Sequence, residues 1–225
     1  MFIKIKPLAA AALLTMAAGG VGTAGAFSAS AATPTPPKFA IFSAKFGTAA
    51  SPNFIETVSH GVAKASQPTV LNSVSGSNPG QDIIGHRGGP VSDFFKAGLV
   101  SAEVNKHYGN LNAAQLEYAP NGVPSRLCVG LEAAAYQNER LSLQTCDTPG
   151  ATVWIIDTAD SPKTAAKGYF PIVNGSTTDY AHPFAMTYYG DPCHKRATDK
   201  PIRVAHLLNN PTHVHDNQLW GVLKK

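Results

Sequence analysis

The feature of this sequence that most constrains its fold is a pattern that recurs three times along the chain. Each copy is a strand-like segment, a turn and a second strand-like segment that carries a large apolar residue, namely Ile83, Trp154 or Trp220. These residues follow one another at intervals of roughly 70 positions. Because recurrence at a near-constant interval is the signature of repeated structural units, the sequence predicts three similar units.

The middle copy carries the clearest β-strand signals. Leu141 and Leu143 alternate with Ser142 and Gln144, which is the period of two expected of a strand with one buried face. Residues that favour turns, Gly and Pro above all, interrupt the pattern between segments. Four short strands are predicted in this copy: residues 114–119, 126–131, 141–146 and 152–157.

Similar strands are predicted in the other two copies, so each unit has room for four short strands and their turns. Charged residues make up only 14 % of the chain, while Gly and Pro are plentiful, which fits many short strands joined by turns. The units are predicted to cover about residues 39–86, 114–156 and 169–223.

One segment between the first two units has a helical pattern instead. Residues 90–112 open with Pro90, Ser92 and Asp93, which favour a helix start. Apolar residues then follow at helical spacing: Phe94, Phe95, Leu99, Val100, Val104 and Tyr108. We predict one inserted helix here, with its apolar face packed on the strands.

The N-terminal segment has the order of a secretory signal. Lys4 and Lys6 precede an uncharged apolar run, and both Ala24-Gly25-Ala26 and Ala29-Ser30-Ala31 fit the small-residue rule for cleavage. The run is shorter than the ~20 apolar residues that span a membrane, although an uncleaved helix is the alternative. We predict a signal peptide over residues 1–31, a Pro-rich spacer over 32–38 and a domain over 39–225, in a secreted, extracellular protein.

The charge balance argues against nucleic acid as a partner. The chain has 18 Lys and Arg against 14 Asp and Glu, and Lys4 and Lys6 would leave with the signal peptide. No basic run remains in the rest of the sequence, whereas nucleic-acid-binding domains cluster their basic residues. We therefore expect neither nucleic acid nor, after signal removal, a membrane as partner, and we expect a monomer.

Three cysteines allow one disulfide and leave one thiol over. An exported chain meets oxidising conditions, in which disulfides persist. Cys128 and Cys146 lie on neighbouring predicted strands, so we predict that they pair. Cys193 would then be free or bonded to another chain.

The spacing of several residues in the middle unit matches a known repeat. These residues are Cys128, Asn138, Leu141, Leu143, Cys146 and Trp154, and Gln218-Leu219-Trp220 matches the Gln-x-Trp signature that closes such repeats. Over most of residues 39–223 the chain resembles the ricin-type β-trefoil lectins. The resemblance implies an all-β protein, a β-trefoil of three four-strand repeats in which Ile83, Trp154 and Trp220 meet in the core.

The resemblance also implies a shallow sugar pocket in each repeat. Such a pocket uses an Asp two residues after the first Cys, but Gly130 stands there in this sequence. Glu132, Tyr136, Asn138 and Gln144 could instead supply a carboxylate, a stacking ring and amides, so we predict them as ligand-binding residues. A plain solvated hairpin loop is the alternative.

No metal, cofactor or catalytic site is predicted. His213, His215 and Asp216 could approach one metal ion, but a zinc site needs further ligands, and Cys193-His194 is the only plausible donor group. The sequence has no Gly-x-Ser-x-Gly elbow and no convincing Ser, His and Asp arrangement. We therefore predict no enzyme activity.

The leading functional hypothesis is a secreted, non-catalytic module that binds an extracellular carbohydrate through its hairpin loops. The second is a protein-binding or protease-inhibiting trefoil, because the same fold serves inhibitors. Its candidate contact loops are Pro124-Ser125-Arg126 and Asp191-Pro192-Cys193. An enzyme of unknown type is the third.

Overall fold

Short β-strands make up most of the chain that the structure, a computed structural model, describes. The described residues are 38–48, 51–57, 62–73, 78–159, 168–189, 201–207, 209–210 and 213–224. They belong to one compact unit, Thr35–Lys225. The predicted signal peptide, most of the predicted spacer and Cys193 lie outside the described residues. No helix among the described residues is long and apolar enough to cross a membrane.

The strands and helices follow one another in a simple order. The first group of strands is β1 (Lys38–Thr48), β2 (Ser51–Thr57), β3 (Thr69–Ser73) and β4 (Ile83–Pro90). Two helices follow, α1 (Val91–Lys96) and α2 (Ala102–Tyr108). The second group is β5 (Asn112–Tyr118), β6 (Leu127–Gly130), β7 (Ser142–Thr145) and β8 (Trp154–Ile156). The last group is β9 (Tyr169–Phe170), β10 (Ile172–Asn174), β11 (Phe184–Thr187), β12 (Arg203–His206), β13 (Asn209–Asn210), β14 (His213–Val214) and β15 (Trp220–Lys224).

The pairing of these strands is antiparallel throughout and follows one scheme in each group. In the first group β1 pairs with β2 and β4, and β2 with β3. In the second, β5 pairs with β6 and β8, and β6 with β7. In the last, β10 pairs with β11, β11 with β12, and β9 with β15.

Three further pairings join the groups, namely β4 with β5, β8 with β10 and β15 with β1. Pro171 alone separates β9 from β10. A proline cannot donate to a strand ladder, which accounts for the break between two otherwise continuous strands. The prediction of an all-β class is confirmed.

The prediction of one helix over residues 90–112 is wrong, because the structure has two short helices there. Helix α1 ends at Lys96, and Gly98 then adopts a positive φ of 72°, which glycine tolerates best. Ser101 begins the second helix, because its side chain accepts a hydrogen bond from the Val104 N–H. Of the predicted apolar face, Phe95 is exposed, and the other five residues are buried: Phe94, Leu99, Val100, Val104 and Tyr108. The break between the two helices was missed.

The buried side chains form two clusters. Ile83, Trp154 and Trp220 belong to the same cluster, and both indoles are at most 1 % exposed. The indole N–H of Trp154 donates to the Val129 carbonyl at 2.7 Å, and that of Trp220 donates to the Met186 carbonyl at 2.8 Å. The second cluster lies around the two helices and includes Phe94 and Val104.

The residue two positions before each of these large apolar residues also makes a matching contact. Gln81 donates to the Ser73 carbonyl, Thr152 to the Cys146 carbonyl and Gln218 to the His206 carbonyl, at 2.7, 2.9 and 3.0 Å. The acceptors are at or next to the ends of β3, β7 and β12. The matched spacing of the sequence therefore corresponds to matched hydrogen bonds.

Cys128 and Cys146 form a disulfide, with their Cα atoms 4.8 Å apart. Cys128 lies in β6, and Cys146 follows the last residue of β7, the neighbouring strand. The bond closes the hairpin that carries the predicted ligand-binding residues.

Candidate ligand-binding site

The candidate site begins where segments from the three strand groups meet. Thr69, Leu141 and Ile202 form a closed ring of backbone hydrogen bonds. The Thr69 N–H donates to the Leu141 carbonyl at 3.0 Å, the Leu141 N–H to the Ile202 carbonyl at 2.9 Å, and the Ile202 N–H to the Thr69 carbonyl at 2.9 Å. One residue comes from each group, so this ring holds the three groups together at one point.

A cleft of about 390 Å³ is formed by residues next to this ring in the sequence. Its walls come from all three strand groups. The lining residues are Ser66, Pro68, Glu132, Tyr136, Asn138, Glu139, Arg140, Ser142 and Arg203. Three of the four predicted ligand-binding residues, Glu132, Tyr136 and Asn138, are therefore brought together.

The loop between β6 and β7 holds these three residues in place. The Asn138 N–H donates to the Val204 carbonyl at 2.9 Å, and Asn138 has a φ of 67°, a left-handed conformation that Asn tolerates. The Ala135 N–H donates to the Ser176 hydroxyl at 2.9 Å. The Tyr136 side chain remains 58 % exposed, so its ring is available to a ligand.

Gln144, the fourth predicted ligand-binding residue, does not line the cleft. It lies within β7 beyond the loop, and its amide donates to the Ser142 hydroxyl at 2.8 Å. Strand alternation does not predict how far the Gln144 side chain lies from Tyr136. The Gln144 amide contacts Ser142, which lines the cleft, but Gln144 itself does not line it.

Gly130, which stands where the resembling lectins have an Asp, has no room for a side chain. A Cβ atom there would lie 2.8 Å from Cγ2 of Thr152 and 3.0 Å from the Ala151 carbonyl oxygen. Real Cβ contacts are essentially never as short as 2.8 Å, and few are as short as 3.0 Å. The carboxylate of the family pattern is therefore excluded at this position by the packing of the loop before β8.

Glu139 is a lining residue that the sequence analysis did not single out. Its side chain is buried, with 5 % exposed, and its Oε1 atom accepts a hydrogen bond from the Ala133 N–H at 3.2 Å. Its Oε2 atom has no hydrogen-bond partner among the described residues. Burial raises the pKa of this carboxyl above its usual range, and hydrogen bonds from backbone N–H groups of the loop offset part of the shift.

Arg140 and Arg203 also line the cleft and were not predicted. They stand directly opposite each other in an antiparallel β-bridge. One guanidinium nitrogen of Arg203, Nη1, donates to the Asn138 carbonyl at 2.6 Å. Arg203 lies more than 60 residues from the loop in the sequence, so only the tertiary pairing could have revealed it. Arg140, by contrast, lies next to the predicted residues in the sequence, so the sequence alone could have included it among the candidate site residues.

The other candidate sites have less support in the described part of the chain. His86, Glu117 and Cys146 lie close enough for a metal ion, but Cys146 is consumed by the disulfide, and the His86 ring pairs with Glu117 at 2.8 Å. The other metal hypothesis needs Cys193-His194, which lies outside the described residues.

The loop Pro124-Ser125-Arg126 is the described candidate for a protein-contact loop. Arg126 is exposed and has a φ of 63°, so its backbone is not extended. The Arg126 N–H donates to the Glu117 carboxylate at 2.6 Å, which ties the loop to β5. The second candidate loop, residues 191–193, lies outside the described residues, and the protein-binding hypothesis stays a prediction.

Comparisons with known proteins add one finding about the fold. No family model matches the sequence, and no curated protein matches it. Part of a solved mosquitocidal holotoxin aligns with 86 % of this chain, at a TM-score of 0.51 and 13 % identity. This chain has an all-β fold similar to that region of the toxin.

The match covers only 18 % of the toxin chain, so this chain spans less than a fifth of it. A chain of the S. cerevisiae protein O-mannosyltransferase Pmt1–Pmt2 complex bound to the sugar donor aligns with 85 % of this chain. That alignment covers 25 % of the yeast chain, at a TM-score of 0.45 and 12 % identity.

Proposed function

We propose that this protein is a secreted, non-catalytic β-trefoil module that binds carbohydrate in the cleft between its three strand groups. The observation that carries the proposal is that Glu132, Asn138 and the exposed ring of Tyr136 converge on one cleft. The proposed site is a single composite cleft, in place of the separate pocket in each repeat that the resemblance implies.

The trefoil part of the proposal is supported by the threefold recurrence of contacts. The same strand pairing occurs in three successive groups, and further pairings join each group to the next. The ring formed by Thr69, Leu141 and Ile202 takes one equivalent residue from each group. The closed arrangement would leave few free strand edges, which suits a protein that works outside the cell.

The chemistry of the cleft suits a sugar. A sugar ring presents hydroxyl groups around its edge and an apolar face of C–H groups. The Tyr136 ring can stack on that face, while the Glu132 carboxylate and the Asn138 amide can bond the hydroxyls. Glu132 forms no hydrogen bond or ion pair through its side chain with any other described residue, so its acceptors are available.

Secretion and the lack of catalysis are parts of the same proposal. The N-terminal signal pattern and the Cys128–Cys146 disulfide both fit an oxidising, extracellular location. The residues that line the cleft supply hydrogen-bonding groups and an aromatic ring, which suit reversible binding of a glycan. The expected partner is therefore an extracellular glycan that is bound and released unchanged.

A glycan array followed by titration calorimetry of the strongest ligand tests the proposal. The Tyr136→Ala variant should bind that ligand between about twofold and tenfold more weakly, because the stacking contact is lost. Tyr189→Ala is the matched control, since Tyr189 is 50 % exposed but does not line the cleft. An array without any bound glycan, or equal losses in both variants, would contradict carbohydrate binding in this cleft.

A further inference from the structure

We infer that the ligand of this cleft is an acidic carbohydrate, and that Arg140 and Arg203 together hold a carboxylate on its sugar ring. The inference rests on the proposed carbohydrate-binding function and specifies the ligand class. It begins from a feature that costs the folded protein stability unless something offsets it: two positive side chains directly opposite each other.

Residues opposite each other in an antiparallel bridge project their side chains to the same side, with Cβ atoms about 5 Å apart. Like charges in this arrangement repel each other. Arg140 and Arg203 are such a pair, and both guanidinium groups carry a positive charge. An anion between them can offset the repulsion.

No carboxylate of the protein fills this role in the part of the chain that the structure describes. Neither arginine forms an ion pair there, although Glu132 and Glu139 line the same cleft. Arg203 commits Nη1 to the Asn138 carbonyl, which fixes its guanidinium and leaves its other donors available. A guanidinium has five N–H donors whose planar geometry matches a carboxylate in two parallel hydrogen bonds.

The two glutamates favour an acidic sugar over a simple anion. Glu139 lines the cleft but is buried, with its Oε1 atom bonded to the Ala133 N–H, so Glu132 is the more exposed of the two carboxylates. Glu132 is exposed and would repel a bare anion, but its carboxylate can accept bonds from sugar hydroxyls. The cleft thus combines two guanidinium groups, a hydroxyl acceptor and an aromatic ring, which match the parts of a uronic acid.

The test compares one oligosaccharide in two charge states. Calorimetry would measure the binding of a galacturonic acid oligosaccharide and of the same oligosaccharide with its carboxylates methyl-esterified. The acid should bind at least about tenfold more tightly than the ester, since hydrogen bonds to charged groups are the stronger ones. Added salt should weaken binding of the acid much more than binding of the ester.

Variants then assign the effect to the arginine pair. Arg140→Gln should lower the affinity for the acid by about tenfold and lower the affinity for the ester much less. Arg140 makes no side-chain hydrogen bond or ion pair with another described residue, so this variant should fold. Arg87→Gln is the control, because Arg87 is exposed on β4 and does not line the cleft.

The outcomes separate this inference from the proposed function. Equal affinity for acid and ester, or a loss of acid binding in Arg87→Gln as large as in Arg140→Gln, overturns the inference and leaves carbohydrate binding standing. An array that shows binding of neutral glycans but of no acidic glycan would likewise overturn the inference and leave carbohydrate binding standing. If neither acidic nor neutral glycans bind, the proposed function falls together with the inference.

Discussion

The buried Trp residues and the cleft treat their polar groups in opposite ways. Trp154 and Trp220 each donate the indole N–H to a backbone carbonyl within the core. In the cleft, the Oε2 atom of Glu139 has no partner among the described residues, and Arg140 stands opposite another arginine. The two indoles are satisfied within the core, whereas these groups of the cleft have no such partner among the described residues.

The difference matters because unmet polar and charged groups cost stability. Buried polar groups are normally hydrogen-bonded, so each exception calls for an explanation. A core with internally satisfied indoles is explained by folding alone. In the cleft, the proposed ligand would offset the repulsion between the two opposed cations. Substitutions in the two regions should accordingly affect different measurements.

The largest expected effect on stability is in the core. Trp220→Ala should lower the free energy of unfolding by about 3–5 kcal/mol, because it removes a fully buried side chain and leaves a cavity. Chemical denaturation monitored by circular dichroism measures the loss. Trp220→Phe separates the two contributions, since it keeps an aromatic ring but loses the hydrogen bond to the Met186 carbonyl.

A Trp220→Ala variant as stable as the parent would break the comparison, because the indole would then contribute nothing to folding. If the variant stays folded, its glycan affinity should be close to that of the parent. Trp220 does not line the cleft, so a large loss of affinity without unfolding would contradict the separation of the two regions.

A smaller loss of stability is expected at Gly130, which packs closely against Thr152 and Ala151. Gly130→Ala should cost about 1–3 kcal/mol, because the new Cβ would meet Thr152 and the Ala151 carbonyl. Thr152 cannot easily turn aside, since its hydroxyl is bonded to the Cys146 and Thr148 carbonyls. Thermal unfolding measures the cost.

Gly88→Ala is the control for this prediction. Gly88 lies in β4, and the nearest atom to a Cβ there is 3.9 Å away, so the expected change is within about 0.5 kcal/mol. Equal losses in the two variants would contradict the close approach at Gly130 as the cause of the cost.

Local sequence patterns predicted the parts of the fold that depend on local order. Strand alternation and turn residues identified most strands, and the pairing of Cys128 with Cys146 followed from neighbouring strands. Strand β2, Ser51–Thr57, was not predicted, because Pro52 and the polar residues around it weaken the alternation. The helix break was missed because the apolar spacing continues across Gly98.

The cleft shows the same limit. Glu132, Tyr136 and Asn138 were predicted together because they belong to one loop. Arg203 was not, because the bridge to Arg140 arises from tertiary pairing over a long stretch of chain. Burial of Glu139 was equally invisible, since a glutamate in a polar loop is ordinarily exposed.

The smallest expected effect comes from Glu139, and it sharpens the comparison through pH. Burial raises the pKa of Glu139 in the folded state above that of the unfolded chain. Between the two pKa values, the folded protein keeps a proton that the unfolded chain has lost, so stability should fall as the pH rises through this range. Glu139→Gln keeps an oxygen for the Ala133 N–H and removes the titration, so its stability should fall less over that range.

Denaturation midpoints of parent and Glu139→Gln, measured from acidic to neutral pH, would reveal this difference in slope. Glu132→Gln is the control: its charge raises the pKa of Glu139, so removing it should reduce the slope only in part. Identical slopes in parent and Glu139→Gln would mean that the carboxyl titrates alike in the folded and unfolded chains. Burial of the Glu139 carboxyl would then cost the folded protein no stability. The contrast between the core and the cleft would rest on the arginine pair alone.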